Sequence, residues 1–216
     1  MIRTFHSGSA TLVEMLASRS DSTTLNVAIR AASVLFMTAL TAAAAQISIP
    51  LPFTDVPFTF QPMVVLIGGL ALGPRLGVAS QVLYLAAGIA GLPVFAASAT
   101  LPPGAARLFG PTGGYLMSYP FAALITGYLG ARGFDRRYLT SVTAMLAGLV
   151  VIFAGGVLWL AMLAGPRAAL VTGFYPFIVA DLAKVLAAAG IMPGMWRLLG
   201  RSHEEHEDDS PRRSRR

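Results

Sequence analysis

The sequence predicts an all-α integral membrane protein, a bundle of six transmembrane helices with both termini in the cytoplasm. Three observations predict it: sparse charge, apolar runs long enough to cross a bilayer, and arginines gathered at one set of their ends. Of 216 residues, 55% are hydrophobic and 12% charged, about half the ~25% charge of soluble domains. Five of the ten acids fall in the tail, at Glu204, Glu205, Glu207, Asp208 and Asp209. Between Asn26 and Leu199 the acids are Asp55, Asp135 and Asp181. A stretch so poor in charge cannot keep a water-facing surface, whereas helices in lipid satisfy their backbone groups internally.

Residues 1–26 form a cytoplasmic N-terminal segment. Arg3, His6, Glu14, Arg19 and Asp21 interrupt its apolar pieces, so it lacks the continuous core of a secretory signal. The membrane domain covers 27–199. Span 1 runs from Val27 to Ile49, and 50–61 is a loop with three prolines and an acid. Residues 62–72 are a short second span or a re-entrant segment, a span being preferred. Span 3 runs over 76–89. The connection 92–112 is rich in Pro, Gly and Ala and apolar for a loop, which suggests a functional cover packed on protein. Span 4 is 113–130, span 5 is 140–164, and span 6 follows Gly165-Pro166-Arg167 to about Trp196. The segment 200–216, acidic and then basic, reads as a disordered charged cytoplasmic tail whose arginines can touch anionic membrane lipid.

Six spans put both ends on one side. That side collects Arg19, Arg30, Arg75, Arg132, Arg136, Arg137, Arg197 and Arg201, against Arg107 and Arg167 on the other. Positive-inside asymmetry makes the richer side cytoplasmic. The formal charge of +6 does not indicate nucleic acid, because the arginines flank apolar runs and form no basic patch with interleaved aromatics.

Asp181 and Lys184, the only lysine, lie inside the last span. Each ionised group costs about 2.5–3.5 kcal/mol at mid-span on insertion scales. At i, i+3 they share a helix face, which must look inward. Pro176 marks the first turn of that helix, placing the pair roughly 8–12 Å below its outer end at ~1.5 Å per residue. The pair is either a self-satisfying ion pair or part of a polar small-molecule site, and intramembrane ionisable residues favour the second. Gln61, Tyr84, Tyr115 and Tyr119 are further polar tips near the outer ends. Singly, each also suits an interfacial anchor or packing group. Ala28, Ala32, Ala39 and Ala43, with Leu35 between, make a mainly small-residue stripe on span 1 that permits close helix approach.

Several chemistries are excluded. All three histidines, His6, His203 and His206, lie outside the spans, which argues against intramembrane metalloproteases and Ser/His proteases. There is no cysteine and no P-loop, so no thiolate chemistry and no ATP hydrolysis by that route. No cofactor, metal site or enzymatic step is expected.

Four segments in this order resemble the BioY family, the biotin-specific substrate-binding (S) components of energy-coupling factor transporters. They are 56–61 (VPFTFQ), 72–77 (LGPRLG) continuing through Tyr84 to 88–95 (GIAGLPVF), 110–115 (GPTGGY), and Asp181-Leu-Ala-Lys184. The resemblance implies a biotin pocket near the outer face, roofed by the first and third loops. Asp181 and Lys184 match the family's ligand-contacting pair, and Gln61, Tyr115 and Tyr84 fall in matching motifs. The family's third loop is often glycine-rich, with an asparagine near the ligand, whereas 96–108 read AASATLPPGAARL here. The family also docks a transmembrane coupling subunit through two small residues four apart in span 1. That register holds Leu35 and Ala39, with Ala32 sharing the role.

The expected function is thus biotin capture and uptake at the inner (plasma) membrane of a prokaryote, energised by separate coupling and ATP-binding subunits. Two alternatives are a self-contained secondary transporter driven by Asp181 protonation, and a structural membrane subunit.

Overall fold

The computed structural model describes residues 11–17, 22–98 and 101–208. A short helix α1 (Leu12–Ala17) precedes the long α2 (Thr23–Gln46), whose start is capped by Ser22 Oγ accepting from Leu25 N. Then come strands β1 (Ser48–Leu51) and β2 (Thr54–Thr59), and helices α3 (Gln61–Ile89), α4 (Gly113–Gly130) and α5 (Tyr138–Ala164). The last stretch is α6 (Pro166–Ala169), a π-helical turn (Leu170–Phe174), α7 (Tyr175–Ala188) and α8 (Ile191–Asp208). By length and hydropathy four stretches can cross a membrane: Thr23–Gln46, Gln61–Ile89, Tyr138–Ala164 and Pro166–Leu199.

Within α3, Gly73 breaks the helix at φ 79°, ψ 179°, a conformation that a side chain disfavours. The chain folds back there. A Cβ on Gly77 would stand 3.2 Å from the Cα of Gly69, whereas eight residues of straight helix separate atoms by about 12 Å. Residues 61–72 are therefore a helical arm lying against 74–89. Both arms pack on α4, and α3 is the most buried of the four long stretches, the centre of the bundle. α1 seals the fold-back, with the Thr11 methyl against Gly73. We expect Gly73→Ala to destabilise the chain by about 1–3 kcal/mol, read as a lower unfolding midpoint in detergent. An unchanged midpoint would contradict this turn.

Several departures from the sequence reading concern the ends of helices and the connections between them. The chain is not wholly α, because 48–59 forms an antiparallel hairpin with Ser48 opposite Thr59 and Ile49 opposite Phe58. Span 1 accordingly ends at Gln46 and not at Ile49. A two-stranded ribbon gives each strand an unpaired edge, which is where proline is tolerated; Pro50 falls at the register irregularity between Ile49 and Leu51. The connection after α3 also holds a short 3₁₀ helix, Gly104–Phe109. At the other end, the last span breaks after Ala188, and α8 continues to Asp208, where the sequence reading has an unstructured tail from 200. Residues 1–10, 18–21 and 209–216 of the predicted end segments lie outside the described residues.

The α4–α5 turn is fastened to α8. Trp196 Nε1 donates to Asp135 Oδ2 at 2.6 Å, and the Arg136 guanidinium stacks 3.4 Å above the Trp196 ring. Burial raises the Asp135 carboxyl above the usual range, opposed by the Trp196 hydrogen bond and the charge of Arg136.

Candidate functional site

The hairpin, the start of both α3 and α4, the inner face of α5 and the start of α7 converge on one end of the bundle. There they line a partly open cavity of about 60 Å³ whose walls include Phe58, Thr59, Gln61, Phe95, Arg107, Tyr115, Tyr119, Phe153, Asp181 and Lys184. Few polar groups among many aromatic and aliphatic walls is the usual composition of a small-molecule site.

Asp181 and Lys184 are placed by α7, which has Pro176 in its first turn, where the missing N–H has no partner to lose. At i, i+3 both face inward, 6% and 9% exposed. Lys184 Nζ donates to Asp181 Oδ1 at 2.7 Å and to the carbonyl of Thr59 at 2.6 Å. It also sits 3.6 Å from the centre of the Phe58 ring, within cation–π range. Its three donor directions are thus occupied by Asp181, the hairpin backbone and an aromatic face. Asp181, in contrast, shows a hydrogen bond at Oδ1 only among the described residues, leaving Oδ2 as an acceptor.

The sequence-derived candidates divide by position. Gln61, Tyr115, Asp181 and Lys184 line the cavity, whereas Tyr84 does not. Tyr84 stands behind Gln61, fully buried, receives a hydrogen bond from Gln61 Nε2 at 2.6 Å and donates to the Val94 carbonyl at 3.2 Å. Tyr115 reaches across to donate to the Gly173 carbonyl in the π turn at 2.7 Å, tying α4 to the approach of α7. Ala32 and Ala39 lie on the exposed face of α2, away from the cavity.

Arg107 was read in the sequence as a topology marker only. It is 5% exposed and lines the cavity. Its Nε donates to the Pro102 carbonyl at 2.9 Å and its Nη2 to the Leu101 carbonyl at 3.5 Å. No acceptor for Nη1 is found among the described residues. Burial lowers the guanidinium pKa, with Tyr84 acting in the opposite sense. A lone arginine in an otherwise apolar connection was the signal available in the sequence.

Apolar helices packed around a charge-lined pocket at one end of a bundle define a helical membrane protein with a candidate small-molecule site. The chain belongs to the BioY family, whose model matches residues 16–201. A probable biotin transporter BioY of Pyrococcus horikoshii is 44% identical over 155 residues, 72% of this chain and 88% of that protein. The biotin transporter BioY of Thermotoga maritima is 38% identical over 153 residues, 70% and 86% of the two chains. The fold also matches a 2.1 Å crystal structure of the S-component for biotin from an ECF-type ABC transporter. That match has a TM-score of 0.72 and covers 82% of this chain and 95% of the other; at 24% identity it speaks for the fold alone.

Proposed function

We propose that the chain is the biotin-binding subunit of an energy-coupling factor transporter in the inner (plasma) membrane of a prokaryote. Separate coupling and ATPase subunits energise uptake. The observation that carries the reading is one cavity holding a buried Asp181–Lys184 pair and a buried Arg107 among aromatic walls. Biotin offers matching groups: two ureido N–H donors, a ureido carbonyl, an apolar thioether ring and chain, and a terminal carboxylate. Asp181 Oδ2 accepts from one ureido N–H, Arg107 takes the carboxylate, and Phe58, Phe95 and Phe153 cover the apolar parts. The site binds and releases without a covalent step. The relatives' names support this ligand.

Counting the two arms of α3 separately gives six spans with α2, α4, α5 and the Pro166–Leu199 stretch. An even count places both ends on one side, and the arginine asymmetry makes that side cytoplasmic. The coupling subunit docks on the exposed small-residue face of α2, at Ala32 and Ala39.

Lys184 favours a second role beside ligand contact. With its donors already engaged, it anchors β2 to α7 and holds Asp181 Oδ1 in place.

Titration of the purified chain with radiolabelled biotin in detergent tests the reading, and absence of saturable binding sinks it. Arg107→Ala is expected to weaken biotin binding roughly 10- to 100-fold, the range of a lost hydrogen bond to a charged group. Biotin carboxamide should bind the wild type and Arg107→Ala nearly alike. Equal losses for both ligands would remove Arg107 from the carboxylate.

A further inference from the structure

Phe153 lines the candidate cavity and also a second depression, a groove on the outside of the bundle between α5 and the last stretch. One wall of the groove is α5, with Leu146, Phe153 and Val157. The other is the π turn and α7, with Leu170, Phe174 and Leu182. Phe153 and Phe174 meet edge-on between the two walls, their centroids 5.1 Å apart. Leu170 and Leu182 are each 38% exposed along the rim. Every side chain that lines the groove is apolar, and both walls belong to stretches able to cross a membrane. In a bilayer such a groove takes hydrocarbon. It offers water no polar partner, and a gap against its walls would forfeit their dispersion contacts.

Two features decide which hydrocarbon. The first is length. Leu146 and Val157 stand eleven residues apart on α5, about 16 Å at 1.5 Å per residue. One leaflet supplies roughly half of the ~30 Å hydrocarbon core, so a single extended acyl chain matches the groove from end to end. The second is charge at its mouth. Arg167, in α6, lies one turn before Leu170 on the side of the cavity end of the bundle. It is exposed and makes no hydrogen bond, ion pair or ring contact among the described residues. Helical side chains lean toward the N-terminus of their helix, here away from the membrane interior. The long arginine stem therefore carries its guanidinium to the headgroup level, above the chain that lies in the groove.

We propose that the groove between α5 and α7 binds one acyl chain of an anionic phospholipid, whose phosphate pairs with Arg167. That chain packs against Phe153, so the lipid reaches the wall of the cavity through one ring. The site does not depend on which ligand the cavity takes.

The full chain is purified in detergent, and its retention of phosphatidylglycerol and of phosphatidylcholine with the same acyl chains is measured by native mass spectrometry. Wild type should hold phosphatidylglycerol about fivefold more strongly, the worth of one arginine facing an anionic headgroup. Arg167→Gln, an exposed change that leaves the groove intact, should remove that preference and leave phosphatidylcholine binding as it was. Val157→Trp fills the mouth of the groove and should abolish retention of both lipids. Leu158→Trp, on the α4 side of α5, adds the same bulk in lipid and should retain both. Equal retention of the two lipids by wild type, or a preference that survives Arg167→Gln, would overturn the proposal. So would lipid kept by Val157→Trp, or lost equally from Leu158→Trp. Dimers of the chain that dissociate in Val157→Trp would put a second copy in the groove and overturn it too.

Discussion

The double variant Asp181→Asn/Lys184→Met is expected to fold as stably as wild type and to bind biotin on the order of a hundredfold more weakly. The two single variants define why. Lys184→Met leaves a carboxylate buried at 6% exposure without its cation and frees the Thr59 carbonyl that Nζ now satisfies. Asp181→Asn leaves the ammonium buried with only the carbonyl and the Phe58 ring. Breaking a buried pair from one side costs about 3–5 kcal/mol, whereas removing both charges together is often neutral or favourable. Unfolding midpoints should therefore fall in each single variant and recover in the double. Affinity should not recover, because the neutral amide oxygen of asparagine is a weaker acceptor for a ureido N–H than the carboxylate it replaces. Loss of a charge-assisted hydrogen bond, about 1.5–3 kcal/mol, accounts for a drop of that order. Near-wild-type biotin binding by the double variant would reduce the pair to a structural clamp.

The part of this site legible in the sequence was the part that violates a rule of lipid. A charged pair one turn apart in an apolar helix stands out because nothing else explains it, and Asp181 and Lys184 do face the cavity. Gln61 and Tyr115, found in motifs, line it too. Tyr84 does not, because periodicity places a residue on a helix face but cannot say whether another side chain stands in front of it. Here Gln61 does. Arg107 was overlooked for a related reason. In a loop, the direction of a side chain depends on tertiary packing, so the sequence offered only its charge and side of the membrane. The hairpin was hidden by Pro50, Pro52 and Pro57, which read as loop until a two-stranded ribbon supplies free edges for Pro50 and Pro57 and a turn for Pro52. The fold-back at Gly73 was visible as Gly73-Pro74-Arg75, but only the approach of Gly77 to Gly69 shows that the arms lie side by side.

Ala39→Trp and Ala32→Trp are expected to abolish co-purification with the coupling and ATPase subunits, and with it biotin uptake, while leaving biotin binding intact. The physical case rests on which face of α2 is used inside the chain. Its inner face carries Met37, Thr41, Ala44 and Ala45 and is fixed to α3 by Thr38 Oγ1 donating to the Ser80 carbonyl at 2.9 Å. Ala28, Ala32, Leu35, Ala39 and Ala43 all lie on the exposed face, so the close approach that small residues permit is not spent on a neighbour in this chain. Within lipid, where no hydrophobic drive separates helix from acyl chain, such approach is a main source of helix association. An indole on that face meets only lipid in the isolated chain, so folding and the distant cavity should be undisturbed. It would hold a docking helix away by several ångströms and remove most of the dispersion contacts. Val150→Trp, on the exposed face of α5 (67% exposed), serves as the control for bulk added in lipid and should leave assembly unchanged. Retained co-purification of the α2 variants would move the docking surface elsewhere on the bundle. Loss of biotin binding in them would mean that this face of α2 also supports the cavity.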